Sequence, residues 1–202
     1  MPRPKSDDKR TAILNAATRI IVVQGLGAPT AGVAKEAGVA NGSLFTYFET
    51  KTDLFNQLYL ELKSEIASMA MKDLPQGSEL RNQFFHIWQN WTAWAVTFPD
   101  KRRALAQLSV SDEITPETRA AGHKMMAGIA ELLEQIRANG PMRKVPMNFV
   151  AGIMNSVAEA KCEFGNYFAL FLVRYIALSI GPSQLVDTFV QRVRDTFVIG
   201  FV

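Results

Sequence analysis

Apolar residues recur at steps of three and four along most of the 202-residue chain, and no stretch keeps the period of two that a strand requires. The pattern predicts an all-α protein. Ile13, Ala16, Ala17, Ile20 and Val23 make one stripe, placing a first helix at about 6–24, with Gly25 and Gly27 ending it. Leu54, Phe55, Leu58, Tyr59, Leu62, Ile66 and Met69 keep helical spacing over roughly five turns. That long helix starts at Thr50-Lys51-Thr52-Asp53, a capping pattern, and runs to about Lys72, before Pro75, Gln76 and Gly77. Between Ser78 and Phe98, the residues Phe84, Ile87, Trp88, Trp91, Trp94, Ala95 and Phe98 form an aromatic stripe. Pro99 opens the next helix, with Lys101, Arg102 and Arg103 in a solvated first turn and Ala104, Leu105 and Leu108 inward. Thr115 and Pro116 suit the cap and first position of a helix reaching about Asn139. Pro146 opens another, with Phe149, Val150, Ile153, Val157, Ala160 and Phe164 on its inner side. An apolar helix to Ile180 and a last one carrying Leu185, Phe189, Val193 and Phe197 complete the chain.

Two shorter segments sit between the first helix and the long one. Thr30 to Lys51 reads as two short helices with a tight turn at Gly38, where glycine can take the left-handed conformation of a helix end. Thr30 is expected to cap the first and Asn41 the second. Leu44 and Phe48, four apart, face inward. The residues left facing outward are Ala40, Asn41, Gly42, Ser43, Phe45, Thr46 and Tyr47: small, hydroxylic or aromatic, with no acid among them. A helix with that face can lie close to a nucleic-acid groove, with Lys51 beyond it to meet a phosphate.

The run from Gly38 to Lys51 resembles the signature of the TetR/AcrR family of bacterial transcriptional regulators. Its specific part is Leu44-Phe45, then Tyr47-Phe48, then Lys51. The likeness covers roughly the first third of the chain and is similar, more widely, to multidrug-responsive repressors of the AcrR type. It implies a three-helix helix-turn-helix DNA-binding head at 1–50, joined by the helix at 51–72 to a helical ligand-binding and dimerisation domain within 51–202. It also implies base-edge contacts through Ala40, Asn41, Gly42 and Phe45, and phosphate contacts through Thr30, Ser43, Tyr47 and Lys51. The expected partners are double-stranded operator DNA, a second copy of the chain, and a small hydrophobic or cationic effector. Ala31 stands where some members carry a base-reading arginine, so affinity is expected to lean on phosphates and DNA shape. A protein of this fold that binds small molecules and no longer reads DNA is the second reading.

Charge sharpens the division. The net charge is +3; residues 1–52 hold seven Lys/Arg against four Asp/Glu, so all the excess lies at the end with the motif. The single cysteine, Cys162, forbids an internal disulfide and fits a reducing, cytoplasmic compartment. The start MPRPKSDDKR has no apolar core of a secretory signal, and Phe164–Ile180 is short for a span and carries Arg174, so a buried interface helix is expected there.

The candidate ligand-binding groups are Tyr59, Leu62 and Ile66 from the long helix, Trp88, Trp91 and Trp94, and Glu159, Cys162 and Glu163. A carboxylate near indoles would suit a lipophilic cation. The bland reading is equally physical: an aromatic stripe is usually core, and the two glutamates a solvated face. No catalytic, metal or cofactor site is expected, since His86 and His123 lie far apart and no phosphate loop or nucleophile elbow occurs.

Overall fold

The computed structural model describes residues 5–138 and 143–149, with 152 and 156. The chain divides into two compact units, Met1–Arg143 and Lys144–Val202. The first holds eight helices: α1 (Lys5–Gln24), α2 (Thr30–Glu36), α3 (Asn41–Tyr47), α4 (Lys51–Met71), α5 (Leu80–Thr97), α6 (Pro99–Ser109), α7 (Pro116–Met125) and α8 (Ala127–Ala138). Among the described residues there is no strand. None of their helices is long and apolar enough to cross a membrane. Residues 147–149 are helical after Pro146. The helices expected beyond, including Phe164–Ile180, lie outside the described residues.

The head is α1, α2 and α3 around a small core. Ile13, Ala16, Ala17, Val33, Ala34, Leu44 and Phe48 are all buried. Gly38 takes φ +68°, which a side chain would resist, and its N–H and that of Val39 close the end of α2. Arg19 pairs with Glu36 at 2.8 Å and ties α1 to α2. Arg10 of α1 reaches α4. It donates to Gln57 at 3.0 Å, lies 3.5 Å from Glu61 and covers the Phe48 ring, so it fastens the head to α4.

The stripe expected on α1 is rotated. Val23 is exposed, whereas Leu14, Thr18 and Ile21 are buried. The cause is a second neighbour: α6 packs on α1 as well, and Gln107 of α6 donates to the Ile21 carbonyl at 3.3 Å. A stripe drawn for one neighbour cannot show a helix packed on two.

α4 starts in the head and carries Leu54, Phe55, Leu58, Tyr59, Leu62 and Ile66 into the interior, packing on α1, α5, α6 and α7. Its start is fixed by the expected cap. Thr50 Oγ1 accepts from the Asp53 N–H at 2.9 Å, and Asp53 accepts from the Glu49 N–H at 3.0 Å. At its far end, Ala70, Ile87 and Leu132 make a second small core with α5 and α8, and Trp91 packs against it. Thr115 caps α7 through the Thr118 N–H, with Pro116 at the first position. The helix expected to run on to Asn139 is interrupted at Met126, and α8 begins at Ala127.

Candidate nucleic-acid interface

α3 presents a face whose polar groups are not used by the protein itself among the described residues. Asn41 does not cap the helix. Ala40 holds that position in extended backbone, its carbonyl accepting from Ser43 and Leu44, and Asn41 is the first helical residue. Thr30 is likewise the first residue of α2, with Pro29 before it and no side-chain cap. Both corrections have one reason: each helix begins one residue earlier in backbone terms than a side-chain cap would allow. Both leave a side chain unspent. Asn41, Gly42 and Phe45 are exposed, as are Ala40 and Thr46, while Thr30, Ser43 and Tyr47 are partly so. Phe45 is 42% exposed, so it is not head core; Leu44 and Phe48 beside it fill that role at 0%.

Gly42 adds an independent point. A Cβ built there meets nothing within 4 Å, so the fold does not demand glycine. What its bareness provides is close approach for an object outside. Lys51 follows at the start of α4, with its ammonium 5.4 Å from the Phe55 ring centroid. The resulting surface carries an amide that can pair with adenine, an aromatic ring that can touch a thymine methyl, hydroxyls and one ammonium for phosphates. Ala31 is exposed next to it and offers no polar contact.

This geometry matches known proteins. The family model described as bacterial regulatory proteins, tetR family, matches residues 13–58, which span the helix-turn-helix and its flanks. Residues 13–58 thus carry the DNA-binding domain of the tetR family of bacterial regulatory proteins. The chain is 30% identical over 71 residues to the HTH-type transcriptional regulator AcrR of Shigella flexneri, a stretch that is 35% of this chain and only 33% of that relative. A structure from Shewanella sp. PV-4 assigned to the tetR family superposes with a TM-score of 0.71 at 27% identity, covering 85% of this chain and 95% of that one. A TetR family transcription regulator from Marinobacter aquaeolei VT8 shares the fold, with a TM-score of 0.72 at 21% identity over 83% and 93% of the two chains.

The ligand-binding candidates are placed differently. Tyr59, Leu62, Ile66 and Trp94 lie in the closed interior, at 1, 2, 6 and 2% exposure. Trp88 and Trp91 are half-buried and meet edge to face at 5.5 Å. Glu159, Cys162 and Glu163 lie outside the described residues. The carboxylate that does meet an indole is Glu65. It accepts from Trp94 Nε1 at 2.9 Å and pairs with Lys101 at 2.7 Å. Lys101 is therefore a joint between α4 and α6 and not a solvated first-turn charge. Among the described residues no three His, Cys, Asp or Glu side chains cluster as a metal site needs.

One joint had no signal in the sequence. Asn56 of α4 is buried, and its amide donates to the Thr52 carbonyl and to the Glu113 carbonyl, each at 2.7 Å. Its Oδ1 accepts from the Thr115 N–H at 3.0 Å. Thr52 donates to the Glu113 carboxylate at 2.6 Å, and Arg119 donates to the Ser109 and Ser111 carbonyls at 2.6 and 3.0 Å. The α6–α7 connection is thereby fastened to the first turns of α4, directly behind the head.

Proposed function

We propose that this protein is a ligand-responsive DNA-binding regulator, a repressor released from a palindromic operator by a small hydrophobic effector. The single observation that carries the DNA half is the outward face of α3. Its exposed polar and aromatic groups are unspent within the head, and its Gly42 has no structural need to be glycine. In this reading Ala40, Asn41, Gly42 and Phe45 meet base edges, and Thr30, Ser43, Tyr47 and Lys51 meet the backbone. Two heads in a homodimer would sit in successive major grooves. The head is residues 1–50, and 51–202 bind the effector and the second copy in a cytoplasmic, non-enzymatic protein.

Transmission would run through α4. Asn56 joins its head end to the α6–α7 connection, so a change in that connection reaches the head without crossing a flexible linker. The half-buried Trp88 and Trp91 are the described aromatic groups best placed to sense an effector, which can be hydrophobic or cationic on the sequence reading. The tetR-family match over residues 13–58 supports the regulator class. A small-molecule binding protein that has given up DNA is kept as the second reading by exposed Ala31.

The test is binding of the purified full chain to DNA from upstream of its own gene, as a function of salt. Specific binding that falls steeply with salt is expected, and Lys51→Ala should lower the slope by about one. No binding at low salt would turn the assignment to the second reading.

A further inference from the structure

Among the described residues, the contact between α4 and α7 contains positive charge that no acid answers. Lys63 stands one turn beyond Tyr59 on α4, partly buried, with its ammonium 5.5 Å from the Tyr59 ring centroid. The neighbouring acids of α4 are engaged elsewhere: Glu61 faces Arg10 at 3.5 Å, and Glu65 holds Lys101. Arg119 of α7 is one turn before Gly122, whose bare backbone supports the Tyr59 ring; a Cβ there would lie 2.6 Å from Tyr59 Cε1. The Arg119 guanidinium donates to two carbonyls, which leave its charge uncompensated. The charge of Arg119 acts on both partners. It helps to hold Lys63 below the usual lysine range, where burial is the larger cause, and it opposes the rise that burial gives Tyr59. The Tyr59 side chain itself is 1% exposed. The two half-buried cations, Lys63 and Arg119, repel one another unless something negative enters.

We infer that Lys63, Arg119 and Tyr59 form the head-group subsite for an amphipathic organic anion, a carboxylate or phosphate on an apolar body. This rests on the effector reading above and gives the effector's charge a sign opposite to the cation expected from the sequence. It also supplies a route outward. An anion that draws the Arg119 guanidinium competes with the Ser109 and Ser111 carbonyls, and so loosens the connection that Asn56 holds.

The test titrates the full chain with four ten-carbon probes, decanoate, decyl phosphate, decanol and decyltrimethylammonium, following tryptophan fluorescence and heat. At least one anion should bind about tenfold or more tightly than decanol, since a charge-assisted contact is worth that much. Which anion binds better separates a carboxylate source from a phosphate source. Lys63→Met should abolish the preference by weakening the anion about tenfold or more relative to decanol, and Lys63→Arg should keep it. Thermal melts check folding, and the anion should raise the melting temperature of the wild type but not of Lys63→Met. Tighter binding of the alcohol or the cation, no anion binding, or a preference that survives Lys63→Met would each overturn the inference. DNA binding is scored separately. Its absence beside a Lys63-dependent anion preference would sink the regulator reading alone, and the reverse result would sink the anion subsite alone.

Discussion

The outward face of α3 and the joint between α4 and the α6–α7 connection lie at opposite ends of one scale. On α3 the polar side chains stay free of one another: Asn41 is exposed and caps nothing. In the joint they are consumed: Thr52, Asn56, Glu113, Thr115 and Arg119 each hold another part of the chain. The difference teaches what each surface is for. Polar groups that satisfy one another fix a geometry, while polar groups held out on a rigid short helix are available to something else. The comparison makes a testable division. Changes in the joint should cost stability, and changes on α3 should cost binding alone.

The largest effect on stability should come from Asn56→Ala. It removes three hydrogen bonds and strands the Glu113 carbonyl and the Thr115 N–H, at a cost of about 3 kcal/mol in urea unfolding. A loss under about 0.5 kcal/mol would show that the joint is decorative. Gly122→Ala comes next. The added methyl must displace a ring locked in the interior, which outweighs the better helix propensity of alanine and should cost about 2 kcal/mol. Thr50→Ala removes the cap of α4 and should cost about 1 kcal/mol, with the helix frayed at the head end in hydrogen exchange.

A smaller effect is expected from pH. Folding lowers the pKa of Lys63, so the unfolded chain holds that proton more tightly than the folded one. The resulting penalty on the fold is present at neutral pH and fades as pH rises through the folded pKa toward the usual lysine value. Stability of the wild type relative to Lys63→Met should therefore rise in the alkaline range. A flat difference would remove the case for a strained ammonium. The smallest stability change should come from Asn41→Ala and Phe45→Ala, each within about 0.5 kcal/mol of wild type.

The same contrast explains what the sequence made legible. Three helices of the head, the cap at Thr50, the break at Gly38 and the outward set on α3 were all readable, because each depends on residues within a turn or two of one another. Thr115 and Pro116 were readable for the same reason. The joint was not. Asn56 meets Glu113 and Thr115 across nearly sixty positions, and an asparagine in an apolar run shows no sign of such a partner. Glu65 with Trp94 and Lys101 is the same case, and so is the second neighbour that buries Leu14 and Ile21 while leaving Val23 out. The caps assigned to Thr30 and Asn41 failed by a single position, since a hydroxyl or amide at a helix start can sit just inside the first turn as well as just before it.

The central claim is that α3 reads DNA with side chains the protein does not otherwise use. The most direct measurement is upstream-DNA binding by the wild type and by an Asn41→Ala/Phe45→Ala double variant, at two salt concentrations, with thermal melts alongside. The account predicts equal melts, specific affinity lower by about tenfold or more, and a salt slope that is unchanged because the phosphate contacts remain. Equal affinity in wild type and variant, with both folded, would contradict it.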